Sequence, residues 1–135
     1  MRKLKTTAAE MVASARARIR EFETPELIAM VDDPNVVIVD IRDVRERRRS
    51  GYIPGSFHAP RGMLEFWVDP DSPYFKDVFA REDGCDKTFV LHCASGWRSA
   101  LSAATLIDMG FDVAHLREGF STWEAQGGPV EREDT

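Results

Sequence analysis

One cysteine, Cys93, opens a short run that ends in an arginine and a hydroxyl: Cys93, Ala94, Ser95, Gly96, Trp97, Arg98, Ser99, with His92 just before it. Cysteine attacks as its thiolate, and nearby positive charge favours that form. Arg98 supplies such charge, and its forked N–H groups suit anionic partners. Gly96 allows a backbone conformation that a side chain would forbid. Successive N–H groups ahead of a helix converge into an anion-binding concavity, reinforced by the positive helix end. The spacing therefore predicts a nucleophilic Cys93 at the rim of a binding loop formed by 94–99. The plainer reading of Cys93, a small buried hydrophobe, needs neither the glycine nor the arginine. Cys85 fits that plainer reading, or that of an inert loop thiol.

Such a loop must be carried by regular elements. Thr88 to His92 reads TFVLH, a strand that ends where the loop begins. Ser99 to Met109 is rich in Ala and Leu and is followed by Gly110, the pattern of a helix and its stop. In open α/β sheets ligands sit beyond the carboxyl ends of strands, which is where this loop falls. Val36 to Ile41, VVIVDI, is a β-branched run of the kind buried on both faces. Shorter strands are expected at Ser56–Ala59 and Val113–Leu116. Helices are expected from Thr24 (as N-cap, with Pro25 and Glu26 behind it), over Arg42–Arg49, over Arg61–Val68, and from Phe120 to Ala125 before Gly127-Gly128-Pro129. The alternation predicts an α/β domain with a mainly parallel central sheet. Asp40 ends the neighbouring strand and lies close to the loop. It either bonds loop amides or pairs with Arg98, or it is a turn carboxylate supporting Arg42; the residues favour neither.

Bulk properties narrow the classes. The 135 residues make one domain, with 18 Lys+Arg against 23 Asp+Glu and a net charge of −5. That balance argues against nucleic-acid binding, whose affinity rests on phosphate neutralisation. No run of about 18 apolar residues is present, so no membrane helix is expected. Two cysteines do not make a disulfide scaffold and suit a reducing, cytoplasmic setting. His58, His92 and His115 are scattered without metal-ligand spacing, so neither a metal nor a cofactor is predicted. Arg45, Arg47, Arg48 and Arg49 read as a solvated helix face that could also draw in anions. Phe66 and Trp67 read as core, whereas Trp97, inside the loop, is placed to wall a pocket.

The first 21 residues read as a separate amphipathic helix. Ala8, Met11, Val12, Ala15 and Ile19 share one face. That face packs on the domain or on a second copy of the chain, which would make a homodimer. The segment lacks the continuous apolar stretch of a secretory signal, and Glu10 interrupts an otherwise Arg-rich, leader-like composition.

Four blocks, in order, resemble the rhodanese-like sulfurtransferase family in its single-domain form. Val36–Asp43, VVIVDIRD, is similar to the family's strand with its Asp-x-Arg ending. Gly51–Pro60, GYIPGSFHAP, is similar to its Gly-His-Ile-Pro-Gly-Ala signature. Cys93–Ser99 resembles its active-site loop, and Leu116–Phe120 with Trp123–Pro129 resembles its closing pattern. The resemblance runs over 22–130, leaving 1–21 as an extension and 131–135 as a tail. It implies a three-layer rhodanese-like fold with helices on both faces of the sheet. It also implies sulfur transfer: Cys93 takes the outer sulfur of a donor such as thiosulfate as a persulfide and passes it to cyanide, a thiol or a protein acceptor. Residues 94–99 would bind donor and sulfur, with Asp40 and Arg42 in support. Three positions depart from the family pattern. Tyr52 replaces a His, Glu118 stands where a Gly is common, and Asp40 to Gly51 is one residue longer than usual, which weakens any role carried onto Glu46.

Two other readings stand beside this one. His92-Cys93…Arg98 is superficially similar to the phosphatase signature His-Cys-x5-Arg, also the basis of an arsenate-reductase reading, but only four residues separate Cys93 from Arg98. A shorter ring makes a smaller cradle, better matched to one sulfur than to a tetrahedral phosphate. A non-catalytic binding or regulatory module is the third reading; such members usually lack the cysteine.

Overall fold

The computed structural model describes residues 1–82 and 86–133, so the reading of Cys85 lies outside the described residues. Five strands form one sheet in the order β1 (Arg20–Phe22), β5 (Ala114–Leu116), β4 (Thr88–His92), β2 (Val36–Asp40), β3 (Phe57–His58), and every pairing between them is parallel. The central pair is β2 (Val36–Asp40) and β4 (Thr88–His92), the two apolar runs. β3 (Phe57–His58) and β5 (Ala114–Leu116) flank them. Side chains alternate across the sheet. Val39, Phe89 and Leu91 therefore pack on one face with Ala103 and Leu106, while Ile38 and Val90 pack on the other with Leu27, Ile53 and Trp123. Burial on both faces is the reason the sequence is apolar there without alternation.

The edge strand β1 (Arg20–Phe22) was not expected. Three residues are too few to show a period, and it exists because it pairs with β5, setting Glu21 opposite His115. Ahead of it, α1 (Ala8–Arg16) begins with a capping box between Thr7 and Glu10. Val12 and Ala15 are buried against Ala100 and Ala104 within the same chain, whereas Ala8 and Met11 stay exposed. The cap of α2 (Thr24–Ala29) is Glu23 rather than Thr24, with Glu26 Oε1 accepting the Glu23 N–H at 2.9 Å. α3 (Val44–Ser50) is capped by Asp43. Arg61–Met63 is a 3-10 turn leading into α4 (Leu64–Val68). The segment expected as a last helix is only a 3-10 turn, Phe120–Thr122, followed by turns in which the Gly128 N–H bonds the Trp123 carbonyl and the Trp123 indole N–H bonds the Pro129 carbonyl at 2.8 Å. Trp67 packs on the core as expected, but Phe66 is exposed. Glu131, placed in the tail, bridges Tyr52 in antiparallel fashion. Among the described residues no helix is long and apolar enough to cross a membrane.

Candidate active site

The loop sits at the carboxyl end of β4 and runs directly into α5 (Trp97–Asp108), which starts two residues earlier than expected. Trp97, Arg98 and Ser99 thus belong to the first helical turn, and Gly96 is its cap, with φ +86°. Strand alternation turns Cys93 toward the α5 side and His92 to the opposite face. The buried Cys93 sulfur accepts the Gly96 N–H at 3.2 Å and the Ser99 N–H at 3.4 Å, and Ser99 Oγ lies 3.6 Å away. The Cys93 and Ala94 carbonyls are taken by the N–H groups of Phe120 and Ser121, at 2.8 and 3.0 Å. The first-turn amides of Trp97 and Arg98 therefore have no helical partner and add to the positive helix end beside the sulfur.

Two glycines make this closure possible. A Cβ on Gly96 would stand 1.9 Å from the Arg117 carbonyl oxygen, and one on Gly119 would stand 2.6 Å from that of Ala94. Both have positive φ, so the loop is clamped backbone to backbone where no side chain fits.

Arg98 does not meet Asp40. Its two terminal nitrogens bond both oxygens of Glu46, each at 2.9 Å. Glu46 is itself oriented by the α3 cap, accepting the Asp43 N–H at 2.9 Å. The Arg98 fork holds the Glu46 carboxyl below the usual range, against partial burial, and Glu46 in turn pushes Arg98 up. The longer Asp40–Gly51 spacing weakens a role carried onto Glu46, yet the first turn of α3 sets Glu46 against Arg98.

Asp40 is fully buried and bonds neither loop amides nor Arg98. It accepts from Arg42 N–H, Nε and a terminal nitrogen at 2.9–3.0 Å, and from Arg47 at 2.9 Å. The turn-carboxylate reading is the one the geometry matches. Burial would push this carboxyl up, but the Arg42 hydrogen bonds and the charges of His92 and Arg42 hold it far below the carboxylate range. Arg47, expected on a solvated face, is buried here with its guanidinium 4.3 Å from the Tyr52 ring, while Arg45, Arg48 and Arg49 are exposed. Arg42 also reaches the Gly51 carbonyl at 2.8 Å. The cluster pins both ends of α3 and so positions Glu46.

His92 is buried, 3.8 Å from Asp40 and stacked on Phe120; burial pulls its pKa down to about 4. Trp97 stays exposed on the rim, lining a shallow pocket with Arg16, Ser95, Arg117, Glu118 and Ser121. Glu118 ties this corner together by accepting from Thr122 Oγ1 and Gln126 Nε2, each at 3.1 Å. His115 is the residue that sequence reasoning missed. It is fully buried, 2.8 Å from Ser99 Oγ through Nδ1 and 2.8 Å from Glu21 through Nε2. No group of three or more His, Cys, Asp or Glu side chains that could hold a metal occurs among the described residues.

The rhodanese-like domain family matches residues 23–126. The chain belongs to that family. Its relatives carry different activities in their names. It is 32% identical over 134 residues to the dual specificity phosphatase Cdc25 of Arabidopsis thaliana, covering 92% of this chain and 85% of that one. It is 30% identical over 110 residues to the thiosulfate:glutathione sulfurtransferase of Saccharomyces cerevisiae, covering 79% and 78%. A solved Rhodopseudomonas palustris protein of unknown function, described as a possible tyrosine phosphatase, superposes with a TM-score of 0.89 at 47% identity, covering 97% and 98%. This chain, with the rhodanese-like fold of a parallel five-stranded sheet and an N-terminal helix, is thus similar both to a protein named as a sulfurtransferase and to one named as a phosphatase.

Proposed function

We propose that this rhodanese-like domain is a sulfurtransferase working through a Cys93 persulfide. The observation that carries the reading is the size and wiring of the cradle. Two amides, Gly96 and Ser99, converge on one sulfur, and the guanidinium that closes the loop is spent on Glu46. A phosphatase loop would need that guanidinium to bracket a tetrahedral phosphate, and a fifth residue between Cys93 and Arg98.

The Cys93 thiolate attacks the outer sulfur of thiosulfate. The sulfur–sulfur bond of the donor breaks, and sulfite leaves with the bonding pair. The new terminal sulfur, anionic, lies against the free first-turn amides of α5. Cyanide or a thiol then attacks that sulfur, and Cys93 leaves as thiolate. A thiol acceptor of the glutathione type agrees with the name of the yeast relative.

The test is a mass measurement after incubation with thiosulfate. One added sulfur is expected, lost in Cys93→Ser and kept in Cys85→Ser. An adduct on Cys85 would sink the mechanism. Robust hydrolysis of an aryl phosphate or reduction of arsenate by the unmodified protein, without sulfur transfer, would make the phosphatase or reductase reading correct.

A further inference from the structure

A hydrogen-bonded line runs from the Cys93 sulfur out of the family domain and into the N-terminal extension. Cys93 Sγ lies 3.6 Å from Ser99 Oγ, Ser99 Oγ 2.8 Å from His115 Nδ1, and His115 Nε2 2.8 Å from Glu21 Oε2. Arg16 Nε stands 3.6 Å beyond, from the same Glu21 oxygen. Glu21 and Arg16 precede residue 23, where the family match begins. Each arrives by its own route: Glu21 through the β1–β5 register, Arg16 through the packing of α1 on α5. Arg16 is fixed in addition by the Arg117 carbonyl, which its terminal nitrogen bonds at 3.1 Å.

We infer that Ser99 and His115 form a proton relay that takes the proton from the Cys93 thiol, with Glu21 and Arg16 as positioning residues supplied by the N-terminal extension. The inference rests on Cys93 being the nucleophile. Its chemistry follows from the hydrogen bonds. A carboxylate can only accept, so the neutral His115 ring carries its proton on Nε2, facing Glu21, and offers the Nδ1 lone pair to Ser99. Ser99 then spends its hydroxyl proton on Nδ1 and turns a lone pair to the cysteine. The thiol S–H breaks and its proton forms a new bond to Ser99 oxygen. The original Ser99 O–H breaks and its proton lands on Nδ1, while the electron pair stays on sulfur. The imidazolium so formed lies against the Glu21 carboxylate. Ser99 is now a donor, aimed at the thiolate. After the acceptor has taken the sulfur and Cys93 has left as thiolate, the same line runs in reverse: the Ser99 O–H breaks and its proton bonds the sulfur, while the imidazolium Nδ1–H breaks and its proton returns to Ser99 oxygen.

The groups facing His115 are Glu21 from β1, Arg16 from α1, Ser99 from α5 and, beyond it, Cys93 from the loop after β4. Burial, with Arg16, pulls the imidazole down against the pull of Glu21, so the ring is neutral at neutral pH and its Nδ1 lone pair is open to the Ser99 hydroxyl. Arg16 limits the basicity that Glu21 confers. Without Glu21 the second ring tautomer, with its proton on Nδ1, would leave Ser99 without a base.

The test is a titration of the Cys93 thiolate by ultraviolet absorbance in the full chain, with Cys85→Ser as background and Cys93→Ser as blank. Ser99→Ala and His115→Gln should raise the midpoint by about one pH unit or more, a tenfold loss of thiolate at a fixed pH below it. Glu21→Gln should raise it by less. His115→Gln removes a buried group and can unfold the domain; Glu21→Gln, at the edge of the sheet, then decides the matter by itself. Midpoints equal to wild type in folded variants, with slower sulfur transfer at every pH, would assign these residues a purely structural part and overturn the relay. Absence of the thiosulfate adduct in wild type, with the midpoints shifted as stated, would strike the sulfurtransferase reading and leave the relay standing.

Discussion

Replacing Gly96 by alanine tests whether the closed loop, rather than the cysteine alone, makes the site. The new Cβ would sit 1.9 Å from the Arg117 carbonyl oxygen and 3.0 Å from an Arg16 terminal nitrogen. Ordinary contact begins near 3.5 Å, so backbone must separate by roughly 1.5 Å. The left-handed conformation at φ +86° adds about 1–2 kcal/mol for any L side chain. Either the loop or the β5 end must give, and the Gly96 N–H, now 3.2 Å from the sulfur, leaves hydrogen-bond range. Misplacement on this scale costs on the order of 100-fold in rate. Initial rates of thiocyanate formation from thiosulfate and cyanide measure it, beside urea unfolding of the same protein. Gly62→Ala is the control: nothing lies within 4 Å of its added Cβ, and turnover should stay at wild-type level. A folded Gly96→Ala protein with more than half the wild-type turnover would refute the claim that loop closure governs catalysis.

Arg98→Ala strands the partly buried Glu46 carboxylate next to the loop; turnover with anionic donors should fall by roughly 10-fold or more, about the loss of one charge-assisted contact, and neutral sulfur donors should be affected less. Equal loss for both donor types would remove the electrostatic explanation. Inserting a glycine after Gly96 should abolish sulfur transfer without creating phosphatase turnover, read on the same two substrates. His92 is held near a pKa of about 4 against about 6.5 when unfolded, so the unfolded chain binds the extra proton and stability should fall by about 3 kcal/mol as pH drops from 7 to 4. Asp40 acts with the same sign in a lower window: its depressed carboxyl contributes stability above about pH 4 that is lost as pH falls further, because there too the unfolded chain binds the extra proton. Urea midpoints between pH 7 and 4 check His92 and those below pH 4 check Asp40, and a flat profile between pH 7 and 4 would contradict the His92 burial argument. Asp40→Asn should lower the unfolding free energy read from urea curves by about 3–5 kcal/mol, because two buried guanidinium groups lose their counter-charge.

Much of the chemistry was legible in the chain itself, because it is local. The Cys93–Ser99 run places a sulfur, a glycine and successive amides within one turn, and a strand–loop–helix context follows from the apolar run before it and the Ala-rich run after it. The central strands were legible for the same reason, since burial on both faces leaves an unbroken β-branched signature. What tertiary structure decided is which distant charges meet. Asp40 went to Arg42 and Arg47, and Arg98 to Glu46, 52 positions away, because the first turn of α3 rather than the end of β2 faces the loop. Nothing in the sequence links His115 to Ser99 or to Glu21, which is 94 positions distant. That contact exists only because a three-residue strand, too short to carry a pattern, gains its stability from pairing with β5 and from the helix that packs ahead of it.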